Sequence, residues 1–251
     1  MLILASLCNY LEELLQSHNI HDYCPNGLQV EGKKQINKIA FAVTANLRTI
    51  EKAIEAKADA LIVHHGLFWQ KDSQRIEGVK RKKIALLLEN NLSLLAYHLP
   101  LDAHRELGNN WKAAKDLAWQ DLKGFGNFNG LEIGVQGRFA ALPIDEFKRQ
   151  IENYYQCKVH KALGGKETIE TAAIVSGGAY RSIEEAAKKK IDCFISGNFD
   201  EPAWNIAHEE GLHFFAVGHY ASETVGPKAL KNWIAKELDV ATEYIDVPNP
   251  F

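Results

Sequence analysis

Asp59-Ala60-Leu61-Ile62-Val63-His64-His65-Gly66 is the segment from which the expected architecture of this chain follows. Its apolar run ends at two histidines and a glycine, the pattern of a buried strand whose carboxyl end carries ligand-binding side chains. Two later segments repeat the pattern: Tyr97-His98-Leu99-Pro100-Leu101-Asp102 and Val217-Gly218-His219-Tyr220-Ala221-Ser222-Glu223. Because ligand groups of open α/β sheets lie just past the strand ends, the three segments predict one site assembled from distant parts of the chain.

The composition indicates a globular protein. Of 251 residues, 46% are hydrophobic and 24% are charged, so the chain can bury one large core or two smaller ones. The formal net charge of −3 argues against a nucleic-acid-binding protein. The four cysteines have no paired spacing, and no apolar run approaches the roughly 20 residues of a membrane span. We therefore expect a cytoplasmic protein with reduced thiols.

Strand and helix patterns alternate along the chain and indicate an internal duplication. Val63 matches Ile195 at an offset of 132 (195 − 63), and His98 matches His219 at an offset of 121 (219 − 98). In each copy a carboxylate follows the matched histidine four residues later. The fold class expected is therefore α/β, built from two similar units.

A Gly/Asn-rich segment, 124–130, is predicted to be a loop that divides the chain. This places the first unit at residues 1–126 and the second at residues 127–251. Residues 224–238 are predicted to close the fold as a helix. Because the candidate ligands come from both copies, the site is expected between the units.

The candidate metal ligands are His64, His65, Asp102, His219 and Glu223. Imidazole and carboxylate ligands suit divalent Zn, Fe, Mn, Co or Ni. Five protein ligands exceed the three that a catalytic zinc takes, so two metal ions sharing a carboxylate fit the count better. Adjacent residues of a continuing strand point to opposite faces, so His64 and His65 are expected to serve one site only where the strand has ended.

A structural role is the alternative for each of these residues. A single histidine at a strand end is more often hydrogen-bonded than metal-bound, and it is the three clusters together that favour a metal site. His98 is a candidate proton shuttle, or a residue that orients a ligand carboxylate. Phe68, Trp69 and Tyr97 could stack on a flat base or belong to the core. The basic run 79–83 is more typical of a solvated helix start than of a phosphate site.

An ordered set of motifs makes a family resemblance specific. The motifs are Asn26-Gly27-Leu28-Gln29-Val30, His64-His65-Gly66, Tyr97-His98 with Leu101-Asp102, Gly108-Asn109-Asn110, Ser176-Gly177-Gly178, and Gly218-His219-Tyr220 with Glu223. Over essentially its whole length the chain resembles the Nif-three-like family, whose bacterial members are named GTP cyclohydrolase I type 2 homologues. It resembles the short form, in which no extra domain is inserted.

The resemblance implies two similar, intertwined three-layer α/β domains and a homohexameric ring, a trimer of dimers. It also implies a dinuclear metal centre that faces an internal cavity. Carried over by position, the family's ligands match the five candidates above, with Glu223 as the bridging residue.

Two functions are compatible with these ligands and this resemblance. The first is a dinuclear metal-dependent hydrolase that attacks GTP or a related nucleotide with metal-activated water. The second is a non-enzymatic metal-binding scaffold whose ring binds a partner. Beyond other copies of this chain and a nucleotide substrate, we expect neither a membrane nor a nucleic acid as partner. Turnover that tracks metal occupancy would favour the enzyme over the scaffold.

Overall fold

The computed structural model describes residues 2–251. It divides into two compact units, each with its own β-sheet and helices. One unit contains the chain through Leu101 together with Gly226–Val247, and the other contains Asp102–Val225 and Pro248–Phe251. The predicted α/β class with two sheet-bearing halves is confirmed. Within residues 2–251, no helix has the length and apolar character needed to cross a membrane.

The elements follow one another as alternating strands and helices. In chain order they are β1 (Leu2–Ile3), α1 (Leu4–Leu15), a 3-10 turn (Ser17–Asn19), β2 (Gly27–Val30), β3 (Gln35–Ile36), β4 (Lys38–Thr44), α2 (Leu47–Glu55), β5 (Ala60–His65), α3 (Gly78–Glu89), β6 (Ser93–Ala96), α4 (Leu99–Ala103), α5 (Asn109–Asp116), β7 (Gln120–Phe128), β8 (Leu131–Pro143), α6 (Ile144–Tyr155), β9 (His160–Leu163), β10 (Thr168–Val175), a second 3-10 turn (Tyr180–Ser182), α7 (Ile183–Lys188), β11 (Cys193–Ser196), α8 (Glu201–Glu210), β12 (His213–Ala216), α9 (His219–Ser222), α10 (Val225–Glu237) and β13 (Ala241–Tyr244).

The first unit is organised around a five-stranded sheet with the order β13-β4-β5-β6-β2. Strands β13, β4, β5 and β6 are parallel, and β2 joins the edge antiparallel to β6. The central strand β5 is paired on both edges, and its side chains are buried from Ala60 through His64. Leu61 and Val63 belong to the core cluster that includes Ile50 of α2 and Leu87 of α3, as expected for a parallel strand with covered faces. Helix α2 begins after Asn46, whose Oδ1 accepts a hydrogen bond from the backbone N–H of Thr49 at 2.8 Å.

The second unit repeats this arrangement. Its sheet has the order β7-β8-β10-β11-β12-β9, in which β10, β11 and β12 are parallel and β9 lies antiparallel to β12. Three parallel strands with an antiparallel strand beside the third therefore occur in both units, β4-β5-β6-β2 and β10-β11-β12-β9. This shared topology agrees with the predicted duplication, but the offsets differ by one residue from those predicted. Ala60 and Cys193 begin the second parallel strands at an offset of 133 (193 − 60), and Ser93 and His213 begin the third at an offset of 120 (213 − 93).

The segment predicted as a dividing loop is instead strand β7, which forms a hairpin with β8. Asn129 and Gly130 make the turn, with φ of 51° and 89°, values that suit a tight two-residue hairpin. Gly126 lies within β7, and this position requires glycine because a Cβ there would approach Val175 Cγ2 to 2.7 Å. The Gly/Asn-rich composition thus reflects close packing and a hairpin turn rather than a loop between units.

The C-terminal part of the chain also departs from the predicted ranges 1–126 and 127–251. Helix α10 and strand β13 belong to the first unit, where Ala241 pairs with Lys38 of β4. The helix predicted at residues 224–238 is therefore present as α10, but it belongs to the first unit and not to the second. Local sequence patterns predict elements and not this long-range strand pairing.

Asp59 fixes the start of the first parallel strand in the first unit. Its carboxylate accepts the backbone N–H groups of Asn37 at 2.9 Å and Lys38 at 3.3 Å, and it contacts Lys33 Nζ at 2.8 Å. Burial by itself would raise the pKa of Asp59, but these hydrogen bonds and the Lys33 charge outweigh it and lower the pKa.

Asp192 has the same position in the second unit, directly before β11 as Asp59 is directly before β5. It accepts the backbone N–H groups of Glu170 at 2.9 Å and Thr171 at 3.1 Å, and Lys166 Nζ lies at 2.9 Å. Burial opposes ionisation here too, and the same kind of contacts lowers the pKa. In both units, therefore, the aspartate that precedes the second parallel strand accepts backbone N–H groups of the first parallel strand or of the residue before it.

Candidate metal centre

His64 and His65 lie at the carboxyl end of β5. His64 is fully buried, and its Nδ1 is 3.1 Å from the carbonyl oxygen of Tyr97. Because a carbonyl only accepts, Nδ1 carries the proton and Nε2 carries the lone pair that a metal requires. His65 Nδ1 lies 3.2 Å from Thr44 Oγ1.

The prediction required the strand to end before this pair. It does not, because β5 extends through His65. The two ring centroids are nevertheless 4.6 Å apart. Pairing with β6 stops at Val63, whereas pairing with β4 continues to His65. A strand end bonded on one edge only is less constrained to the regular pleat, which lets both rings lie together.

His98 follows β6 and is held by Asp22. The backbone N–H of His98 donates to Asn26 Oδ1 at 2.8 Å, and His98 Nδ1 lies 3.0 Å from Asp22 Oδ1. Asp22 also accepts hydrogen bonds from the Asn26 side chain at 3.1 Å and from Leu99 N–H at 2.9 Å. Burial would raise the pKa of Asp22, but the hydrogen bonds from His98, Asn26 and Leu99 overcome it and lower the pKa.

The three histidines of the first unit form one cluster. His64, His65 and His98 each place a ring nitrogen within 4.8 Å of the others. With Nδ1 of His98 donating to the Asp22 carboxylate, its Nε2 is the acceptor. His98 therefore lies beside the candidate ligands His64 and His65.

Asp102 is the first candidate ligand of the second unit, and it is buried. Its Oδ1 accepts hydrogen bonds from Asn109 Nδ2 at 2.8 Å and Ser176 Oγ at 2.9 Å. The neighbouring Asn110 accepts the backbone N–H of Ser176 at 2.7 Å through its Oδ1. The Asn109-Asn110 motif thus orients the carboxylate and fixes the turn that begins at Ser176.

His219 and Glu223 lie one turn apart, at and just after the short helix α9. His219 Nε2 is 3.1 Å from Glu223 Oε1, and His219 Nδ1 is 3.1 Å from Asn198 Oδ1. The amide oxygen only accepts, so Nδ1 of His219 is the protonated nitrogen, as in His64. Glu223 is 3% exposed. A carboxylate and an imidazole nitrogen therefore face each other in a buried place.

Gly177 links Asp102 to this pair. It follows Ser176, has φ of +67°, and donates its backbone N–H to Ser222 Oγ at 3.0 Å. A Cβ at this position would lie 2.4 Å from Glu223 Oε1 and 3.3 Å from His219 Nε2. The glycine leaves the space that the Glu223 carboxylate occupies.

Gly66 has a comparable role in the first unit. A Cβ there would lie 2.3 Å from Gln29 Oε1, which accepts the backbone N–H of Leu67 at 2.8 Å. Gln29 in turn donates to the carbonyl of Pro25 at 2.9 Å. The first sequence motif therefore fixes the chain that leaves the histidine pair.

Other candidate residues have structural roles. The ring of Tyr97 is 1% exposed and belongs to the core, so only its backbone carbonyl contacts the cluster. His104 Nδ1 accepts the backbone N–H groups of Glu106 and Leu107 at 3.2 and 3.1 Å, which is a local turn. The basic run 79–83 lies in the first turns of helix α3 and is mostly exposed.

Sequence reasoning missed the residues that orient the ligands. Asn109 and Ser176 belong to the family motifs, so the sequence singled them out but did not show that they orient Asp102. Asp22 and Asn198 carried no such signal, because their contacts with His98 and His219 span 76 and 21 residues.

The donor set of each unit fits divalent transition metals. Histidines that bind metals usually donate their second ring N–H to a protein oxygen, which is what His64, His98 and His219 do. Imidazoles with buried carboxylates suit Zn, Fe, Mn, Co or Ni and do not select one of them.

Comparison with known proteins agrees with the sequence motifs. A model of the family described as Duf34/NIF3 (NGG1p interacting factor 3) matches residues 3–250. A Chlamydia muridarum protein named GTP cyclohydrolase 1 type 2 homolog is 51% identical over 249 residues, covering 98% of this chain and 99% of the relative. An Escherichia coli protein of the same name is 38% identical over 245 residues, covering 96% of each.

Solved structures show the same fold. The structure of a protein called ybgI, described as of unknown function, matches with a TM-score of 0.94 and 38% identity over 100% of both chains. TTHA1606 from Thermus thermophilus matches with a TM-score of 0.89 and 31% identity, again over 100% of both chains. With the family model covering nearly the whole chain and these relatives aligned end to end, the chain belongs to the Duf34/NIF3 family.

Proposed function

We propose that the protein is a metal-dependent hydrolase that binds two divalent metal ions through His64, His65, Asp102, His219 and Glu223. The observation that carries this proposal is the orientation of His64 and His219. Each directs Nδ1 to a protein oxygen and thereby presents Nε2 as a ligand atom. Burial of Asp102 and Glu223 supports it, because buried carboxylates are normally paired with cations or strong donors.

Two divalent ions in such a site make water a nucleophile near neutral pH and neutralise charge that develops on the substrate. The protein residues have separate tasks. Asn109 and Ser176 hold Asp102 in one orientation, and Asn198 does the same for His219. His98, oriented by Asp22, can accept or return a proton at Nε2.

The relatives' name suggests GTP or a related nucleotide as the first substrate class to test. The metal content should be measured first, by elemental analysis of protein purified without a metal-chelating tag. We expect about two first-row transition metals per chain, and turnover of a nucleotide panel that rises with metal occupancy. A value near zero that added Zn, Mn or Fe does not raise would contradict the metal site. Tight metal binding without turnover would instead favour the scaffold.

Gly177→Ala should lower the metal content of the protein. The new Cβ would displace the Glu223 carboxylate, which is buried and has little room to move. Gly211→Ala is a matched control: its φ of +71° is similar, but nothing lies within 4 Å of its Cβ. Both variants should lose about 1 kcal/mol of stability from the left-handed backbone. Equal metal content in the two variants, measured by the same analysis, would remove the role assigned to Gly177.

A further inference from the structure

A cavity opens beside the histidine cluster of the first unit. It has a volume of about 350 Å³, and its walls include Tyr23, Phe68 and Trp69. Tyr23 is 42% exposed, and Phe68 and Trp69 are half-buried, so all three present ring surface to solvent. This differs from core packing, in which the rings would be covered, as the ring of Tyr97 is.

Two of these rings contact the candidate metal-binding histidines directly. The ring centroid of Tyr23 lies 4.9 Å from that of His98, and Trp69 lies 5.2 Å from His98 and 5.8 Å from His65. The aromatic wall is therefore continuous with the cluster. Two rings of the cavity wall therefore also pack against the histidine cluster.

The wall is held in place before any ligand arrives. Tyr23 and Trp69 have ring centroids 5.8 Å apart with an interplanar angle of 36°. The backbone N–H of Gln70 donates to the carbonyl of Tyr23 at 2.8 Å, and that of Asp72 donates to the carbonyl of Trp69 at 3.0 Å. The first bond ties the two ring-bearing segments together, and the second fixes the turn after Trp69, which reduces the ordering cost of binding a flat ligand.

Two charged side chains lie at the cavity, Asp22 and Lys80. Asp22 lines the cavity, but its side chain is 1% exposed and is engaged by His98, Asn26 and backbone N–H groups. Lys80 Nζ lies 5.1 Å from the centroid of the Phe68 ring and donates to the carbonyl of Ser73 at 2.9 Å. The side chains thus offer aromatic faces within the cavity and a cation at its rim.

We propose that this cavity is the substrate subsite for a flat nitrogen heteroaromatic ring that carries an anionic group. The ring lies against Tyr23 and Trp69, and the anionic group lies towards Lys80. Aromatic side chains bind heteroaromatic bases by stacking with little dependence on which base it is. The inference rests on the proposed function, because it names the substrate class on which the metal centre acts.

Isothermal titration calorimetry with guanosine monophosphate, guanosine and ribose 5-phosphate tests the subsite, on protein as purified and again after chelator treatment. Guanosine monophosphate should bind most tightly. Trp69→Ala should weaken its binding about tenfold or more, the usual effect of losing one base–aromatic stack. Trp204→Ala, which removes a 49% exposed tryptophan on α8, should leave it unchanged.

Lys80→Gln should bring the affinities for guanosine monophosphate and guanosine closer, by up to about fivefold for a partly exposed cation. Lys82 is an exposed lysine of the same helix, and Lys82→Gln should leave the difference between the two affinities unchanged. Equal binding of ribose 5-phosphate and guanosine monophosphate, or unchanged affinity in a folded Trp69→Ala variant, would overturn the subsite. Binding that persists in the chelated protein supports the subsite even where no hydrolysis is found, so the two proposals can fail separately.

Discussion

Replacing Glu223 with glutamine is expected to remove most of the bound metal and with it any metal-dependent hydrolysis. Glutamine keeps the size of the side chain beside His219 but loses the negative charge. Loss of an outer hydrogen-bond partner of a metal ligand costs roughly 10–100-fold in affinity or activity, so loss of the ligand itself should exceed about a hundredfold. Metal content per chain and turnover of the best nucleotide substrate are the two measurements.

Two further variants make this result interpretable. Glu210→Gln removes an exposed carboxylate at the end of α8 and should change neither quantity. Asn109→Ala removes a hydrogen bond to Asp102 and should have the smaller, roughly 10–100-fold effect of an outer partner. A Glu223→Gln variant that melts like the parent and retains its full metal content would show that Glu223 is not a ligand.

The second large effect is expected at the duplicated aspartates. Asp59→Ala and Asp192→Ala should each destabilise the protein by about 2–4 kcal/mol, because each leaves two backbone N–H groups without their acceptor. Urea unfolding at pH 7 measures this loss. Asp239→Ala, an exposed aspartate near the end of the chain, is the control and should stay within about 0.5 kcal/mol.

The same aspartates predict a pH dependence. Their folded-state pKa values lie below the unfolded value of about 4. The stability they contribute is therefore fully present above that unfolded pKa and is lost as the pH falls through the lower folded pKa. Between pH 6 and pH 3 the parent should lose more stability than either alanine variant. Parallel stability curves would show that neither carboxylate is linked to folding.

The sequence was sufficient for most elements, and the candidate ligands that it offered stay predictions. Strands β5 and β11 show it best, because each is a short apolar run that ends at a polar residue or histidine. Strand β7 was missed because its glycines have the composition of a loop, whereas Gly124 packs closely against the Glu132 side chain and Gly126 against Val175. Strand β13 was missed because it is a short, half-exposed edge strand with no apolar run.

Orientation was beyond what the sequence could provide. His64 and His65 were expected to serve one site only where the strand has ended, yet β5 continues through His65. Their rings lie together at the end of β5 where pairing with β6 has stopped and pairing with β4 has not. The paired positions of Asp59 and Asp192 were visible in the sequence, one residue before each second strand. Their role was not, because it depends on backbone N–H groups more than 20 residues away.

The first unit has a consequence for protein synthesis, since its last strand is made long after its first. Strand β13 pairs with β4, and Ala241 leaves the ribosome 203 residues after Lys38 (241 − 38). At ordinary translation rates this interval is about 10–40 s. The second unit, apart from its last four residues, is one continuous segment that is complete before β13 exists. For that interval the apolar strand β4 has an unpaired edge, which is an aggregation hazard until the more polar, half-exposed β13 covers it.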